Sequence, residues 1–316
     1  MLTTTQSLGS LETMPSSPAR LCLDLGQTGS RVVDAHGNRH TLPTAFSPGS
    51  DMVKVVRQAL ESVEDVRAET VLLSLTGLNG LVPDITELVK LCRELTGCSE
   101  VCVCDDGLAW STGALGGQDG VSAAIGGGVV VVARHGDVAC HLDGNGADFG
   151  DSGGGYWMGR SGIRAAIRSL ESTDTQTHLA DVFVEEFGAH DEFVRAPKSR
   201  EDIHRICVGF ARSVVHAAVA GDDVANTILQ RGATALGKVI VAATRQAGLD
   251  DSPVTVTLGG GLGQFPLYRS LIVHEVEREL TECAIIEPRG DAIDGLIQLD
   301  QSRNKLDGEL VRWWKG

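Results

Sequence analysis

The 316 residues contain no Cys-x-x-Cys pair, no apolar run of membrane-spanning length and no surplus of positive charge. Eight cysteines are scattered at positions 22, 92, 98, 102, 104, 140, 207 and 283, so the paired spacing that metal sites favour is missing. Cys102 and Cys104 alternate along one face of an apolar strand, where a free thiol packs as a small hydrophobe. Reduced, buried thiols are therefore expected. A spanning helix needs about 18 uninterrupted apolar residues, and none is found, so no membrane partner is expected. The 27 basic residues are outnumbered by 42 acidic ones, for a formal net charge of −15. That balance argues against nucleic acid as a partner and suits a soluble cytoplasmic protein. The first eighteen residues carry neither a basic cluster nor an apolar stretch, so residues 1–19 read as a flexible tail rather than a signal or transit sequence.

What is present is 42% hydrophobic composition and 39 glycines, enough for two medium domains with real cores. Leu21–Val33 reads as a β-hairpin whose bend is made by Gly26 and Gly29. Next come a helix at 52–63 capped by Ser50 or Asp51, a buried strand at 70–76, a helix from Asp84 to about Leu95 stopped by Gly97, and a strand at 100–104. This alternation predicts an N-terminal α/β domain over residues 20–117. After Gly116–Gly120 the pattern restarts with a second hairpin centred on Gly126–Gly128, as duplication of one α/β unit would produce. Residues 118–293 are read as a C-terminal α/β domain with helical stretches at 178–187, 201–220 and 222–247, and residues 294–316 as a helix packing back on the N-terminal domain. Gly232–Lys238 has most of the P-loop spacing, but Val239 replaces the Mg²⁺-binding hydroxyl and the context is helical, so it is not read as a phosphate site.

Candidate chemistry gathers at strand ends. Asp24 offers a carboxylate for Mg²⁺, and Gly26, Gln27, Thr28, Gly29 and Ser30 offer N–H groups and hydroxyls for phosphate oxygens; a turn capped by its own side chains would use the same residues. Gly126, Gly127 and Gly128 would hold the phosphates from the opposite side of a cleft. Asp105 and Asp106 open a helix over 108–115, where a carboxylate can either accept a proton from a substrate hydroxyl or cap the helix, and the residues alone leave both open. Thr76, in a loop at the carboxyl end of a strand, is a candidate substrate contact. The glycine-rich loop carrying Asp143, Asp148 and Asp151 suits a polar ligand, and Gly259, Gly260, Gly261 and Gly263, between a strand and a helix, suit an adenine and ribose.

This order of elements resembles the sugar kinase, heat-shock chaperone and actin superfamily, in its branch of N-acetylglucosamine kinases and BadF-type ATPases. The resemblance spans roughly residues 20–300, and its most specific part is Gly150–Arg160, which is similar to the family's Gly-Asp-Glu-Gly-Ser-Gly-Tyr-Trp-Ile-Gly-Arg signature. It implies two duplicated actin-like (ribonuclease H-like) α/β domains around a nucleotide cleft, with ATP and Mg²⁺ as cofactors. Asp106 falls where the family carries its catalytic base, and Asp151 where it carries a sugar contact. Asp143–Gly146 stands in for a Gly-Gly-Trp-Gly run, which adds Asn145 to the sugar-binding set of Thr76, Asp106, Asp143, Asp148 and Asp151. Ser152 replaces the signature's Glu, and the second hairpin has only glycines where the family has Thr or Ser. The implied activity is phosphorylation of the 6-hydroxyl of an amino sugar. Glucosamine is preferred over N-acetylglucosamine, because Asp143 or Asp148 would meet its ammonium. A homodimer is a further expectation. The alternatives are a BadF-type ATPase that activates a redox enzyme through an iron–sulfur cluster, and a non-catalytic nucleotide-dependent regulatory protein.

Overall fold

The structure, a computed structural model, describes residues 19–26, 29–42, 46, 49–64, 66–250, 253–302, 306 and 308–316. Gln27, Thr28 and all but the last residue of the expected N-terminal tail lie outside these. In chain order the first half forms β1 (Arg20–Leu25), β2 (Ser30–Val33), β3 (Arg39–Leu42), α1 (Met52–Glu61), β4 (Thr70–Leu75), α2 (Thr86–Thr96), β5 (Glu100–Asp105) and α3 (Asp106–Ala114). The second half forms β6 (Gly120–Ile125), β7 (Val129–His135), β8 (Val138–Asp143), α4 (Gly155–Leu170), α5 (Leu179–Phe187), α6 (His190–Arg195), α7 (Arg200–Val219), α8 (Asp223–Gln246), β9 (Val254–Gly259), α9 (Gly260–Gly263), α10 (Pro266–Glu279), β10 (Cys283–Ile286), α11 (Ala292–Gln301) and β11 (Val311–Lys315).

Two sheets result, ordered β11-β5-β4-β1-β2-β3 and β10-β9-β6-β7-β8. Leaving β11 aside, the two orders are the same, with a three-stranded antiparallel meander followed by two parallel neighbours in each. This is the duplicated α/β architecture, and period-two alternation builds it. Leu21, Leu23 and Leu25 of β1 join Val71, Leu73, Leu75, Val101 and Val103 in the core beneath α1 and α2. The intervening Cys22, Leu72, Cys102 and Cys104 face α3 and α11. Each such buried side chain contributes roughly 1.5–3 kcal/mol, so a one-residue register slip would forfeit both cores at once. All eight thiols are free; those of Cys22, Cys92, Cys98, Cys102, Cys104 and Cys207 are buried and those of Cys140 and Cys283 half-buried.

The helix α3 joins the halves. It packs Leu108 and Ala109 against the first sheet while Val132 of β7 closes the same cluster from the second. It crosses α11 at Gly113 and Gly295, where an added Cβ would overlap the backbone of Asp291 and the carbonyl oxygen of Ala109 respectively. Asp51 caps α1, and Gly97 ends α2 in the left-handed conformation at φ 75°. At the chain end the expected helix over 294–316 is present as α11, packed on the first sheet, but it is shorter than expected. A capping box of Asp291 and Asp294 starts α11 at Ala292, and the chain finishes as β11, antiparallel to β5. Gly232–Lys238 lies inside α8, as its helical periodicity requires. Among the described residues no single helix is long and apolar enough to cross a membrane.

Candidate active site

Adjacent acids at the start of α3 take different jobs. Asp105, 1% exposed, is the N-cap. Its Oδ1 accepts the Gly107 N–H at 3.0 Å and its Oδ2 the Gly80 N–H at 3.1 Å. Asp106 is the first helical residue, two positions before the expected helix start, and its carboxylate accepts from the Thr76 hydroxyl. Burial pushes Asp106 up to about 7, with Asp105 and then Asp24 adding to the rise, against the lowering pull of the Thr76 hydroxyl. A carboxyl poised there can hold or release a proton near neutrality.

Asp24 stands beside Ser74 in the parallel register and beside Arg31 across the hairpin. It is 6% exposed. Its Oδ1 accepts the Ser74 hydroxyl at 2.8 Å and its Oδ2 the Arg31 guanidinium at 2.6 Å. Arg31 also reaches Asp291 at 3.0 Å, tying the hairpin to the cap of α11. Ser30 keeps a buried hydroxyl with no hydrogen-bond partner among the described residues. It pairs with Leu25 across the hairpin, so its side chain lies on the sheet face opposite Asp24 and Arg31, and it is fully buried. Gly26 is held by its N–H to the Gly29 carbonyl at 3.2 Å.

Gly107 brings the second half in, since a Cβ there would sit 2.8 Å from Val130. The hairpin of Gly126, Gly127 and Gly128 is clamped to α4. The Gly126 and Gly127 carbonyls accept the N–H groups of Gly155 and Tyr156 at 2.8 and 2.9 Å. Asp151, at φ 57°, adopts a backbone strained for an L-residue and points its Oδ1 at the Val129 N–H at 2.9 Å. Its own N–H donates to Asp143 Oδ1 at 2.7 Å, and Asp143 in turn sits at φ 60° opposite Val130. Burial raises the Asp151 carboxyl above its usual range, offset by the Val129 N–H. A Cβ at Gly128 would strike this carboxylate, which explains the glycine.

The remaining sugar-binding candidates differ in exposure. Asp148 is exposed and pairs with Arg200 of α7 at 3.1 Å. Asn145 is exposed, and Thr76 is buried with its hydroxyl on Asp106. In the third glycine segment, a Cβ on Gly259 would overlap Trp110 of α3, one on Gly260 (φ 79°) the Ile125 carbonyl, and one on Gly263 would touch Ile125, so each is a close approach within the chain. By contrast, Gly29, Gly126 and Gly261 have nothing within 4 Å of an added Cβ.

A model of the BadF/BadG/BcrA/BcrD ATPase family matches residues 22–297. The chain belongs to this family. No curated protein sequence matches it. A candidate N-acetylglucosamine kinase from Chromobacterium violaceum is similar in structure at TM-score 0.65 and 22% identity, over 90% of this chain and 99% of that one. Another from Porphyromonas gingivalis gives 0.63 and 16%, over 88% and 97%. A ROK family glucokinase from Streptomyces griseus, solved with glucose and AMPPNP, gives 0.54 and 16%, over 90% and 99%. Identities this low establish the shared two-domain, actin-like fold.

For a BadF-family ATPase the residues fit a nucleotide. Gly29, Gly126 and Gly261 each border open space, where a ligand can approach bare backbone. Among the described residues no group of three His, Cys, Asp or Glu side chains forms a metal cage. Asp24, the buried carboxylate near the end of β1, has Arg31 as its counter-charge. Arg31 and Ser74 escaped the reading by motif; the signal for both was register, since each faces Asp24 directly across a strand pair.

Proposed function

We propose that this BadF-family member is an ATP-dependent sugar kinase that transfers the γ-phosphoryl group to the 6-hydroxyl of an amino sugar. The observation that carries the reading is Asp106: a carboxyl raised to about 7, bonded to Thr76 and near Asp24, on the helix between the two halves. In this reading Asp106 accepts the sugar hydroxyl proton as the phosphoryl group moves. Asp24 positions Mg²⁺, directly or through water, while Gly29, Gly126 and the backbone around them orient phosphates. Such chemistry is mostly placement and charge neutralisation. Gly261 borders the nucleoside. Closure of the two halves would exclude water and limit ATP hydrolysis.

Glucosamine is favoured on one remaining group. Asp148 is engaged by Arg200, and Asp143 spends Oδ1 on the Asp151 N–H, which leaves Asp143 Oδ2 for an ammonium. N-acetylglucosamine is the competing acceptor. The iron–sulfur alternative is not favoured, because six thiols are buried and burial raises Cys22 and Cys92 to about 12. Coupled ADP release with glucosamine, N-acetylglucosamine, glucose and mannose tests the assignment. Asp106→Asn is expected to lose sugar-dependent turnover by at least about 100-fold, the lower end of general-base contributions, while keeping ATP affinity. Retained turnover would overturn the role of Asp106, and the absence of any sugar-stimulated ADP release would overturn the kinase reading.

A further inference from the structure

Away from Asp106, a cavity of about 570 Å³ opens between α4 and α8. Four guanidinium groups line it: Arg160, Arg164 and Arg168 from α4, and Arg231 from α8. This concentration stands out in a chain with 27 basic residues and a net charge of −15. The geometry of α4 produces it. Its small residues Gly159 and Gly162 pack so closely on α7 that an added Cβ would overlap the Cys207 carbonyl and Val214. That contact fixes the rotation of the helix, and Arg160, Arg164 and Arg168, spaced four residues apart, follow one stripe along it. At 1.5 Å rise per residue the three span about 12 Å.

Little within the chain neutralises them. Asp174 is the only carboxylate lining the cavity and takes Arg168 at 3.6 Å. Arg160, Arg164 and Arg231 have no carboxylate within 4 Å among the described residues. Converging like charges without counter-ions cost stability and create a strong local field, a combination that selects an anion. Guanidinium forks match phosphate oxygens bidentately. Tyr156 and Trp157 stand at the same cavity, adding ring faces suited to a sugar or a base, and the volume is that of a small-molecule site.

We propose that the groove between α4 and α8 binds a small organic phosphate, at a site separate from the cleft that holds Asp106. Its contact with the cleft is physical. Ala147 of the 143–155 loop lines the groove, and Tyr156, also in its wall, donates its N–H to the Gly127 carbonyl. A ligand here therefore bears on both the second hairpin and the acceptor loop.

The shared chemistry is a phosphate ester on a ring, and the sources are a hexose phosphate or a nucleotide. The test is calorimetric titration of the full chain with its cleft first saturated by AMPPNP, Mg²⁺ and glucosamine. The probes are glucosamine 6-phosphate, AMP and inorganic phosphate. One-to-one binding of either organic probe is expected, with inorganic phosphate at least 10-fold weaker. In the doubly substituted variant Arg164→Gln, Arg231→Gln affinity is expected to fall by at least 10-fold with no loss of melting temperature, because both side chains are exposed and their removal relieves like-charge repulsion. Binding without turnover is the readout, so failure of the kinase reading leaves this test standing. No heat from either organic probe, or equal affinity in the variant, would overturn the proposal. So would a dimer that dissociates on the double substitution without phosphate binding, since the groove would then be filled by a second copy.

Discussion

At the residue scale, a carboxyl held near 7 on a folded chain has a thermodynamic signature opposite to that of a salt-bridged acid. An unfolded Asp titrates at roughly 3.9, whereas Asp106 retains its proton to about 7 in the fold. Between these values the unfolded chain binds fewer protons, so stability falls as pH rises through the window. Asp106→Asn removes the titration. Denaturant unfolding in a magnesium-free buffer should find wild type and variant alike near pH 4, and the variant more stable at pH 8 by about 2–4 kcal/mol. Equal stabilities at both pH values would show that Asp106 is not held protonated. The adjacent Asp105 instead holds two backbone N–H groups and caps α3. Two identical neighbours thus divide structural and chemical work, a division that composition and spacing left open. It became visible only once the helix start was fixed at Asp106.

Among elements, glycines separate into those that let backbones touch and those that border open space. The sequence marks Gly26, Gly29, Gly126 and Gly259 as turns or close approaches and passes over Gly113, and which neighbour each approaches is a tertiary fact. Gly113 sits at the α3–α11 crossing, under the Asp291 carbonyl, and Asp291 holds Arg31, which holds Asp24. Gly126 has no neighbour within 4 Å of an added Cβ. Gly113→Ala is therefore expected to lower stability by about 1–3 kcal/mol through overpacking. Gly126→Ala should leave the melting temperature within a degree or two and raise the KM for ATP several-fold. Thermal unfolding paired with ATP titration separates the two, and a stability loss in Gly126→Ala with normal KM would contradict its place at the cleft. The hairpins and the duplicated alternation were legible because apolar period-two patterns persist over several residues. β11 was not, because only Val311 of its five residues is buried and Arg312 to Lys315 show no alternation.

Over the whole molecule, that unread strand braces the site more directly than its position at the end of the sequence suggests. β11 pairs with β5 from Val311↔Cys104 to Lys315↔Glu100. Just before it, the Leu310 carbonyl accepts the Asp105 N–H at 2.9 Å and the Glu309 carbonyl accepts the Val82 N–H at 2.7 Å. These bonds hold the strand end that presents Asp106 and the chain that follows the Gly77–Gly80 loop. Leu310 and Val311 add buried apolar surface between the first sheet and α11, and Arg93 lies 4.9 Å over the Trp314 ring. Truncation after Ser302 removes all of this and exposes the β5 edge. The two buried apolar side chains and the lost ladder together come to roughly 3–6 kcal/mol. A shifted denaturation midpoint is expected together with a fall in kcat, because the strand end that sets Asp106 loses its neighbour. Urea unfolding read alongside sugar-dependent ADP release checks both. A truncated chain that keeps its midpoint would mean the strand is an ornament on the sheet, and one that loses stability while retaining full kcat would mean Asp106 is positioned by α3 alone.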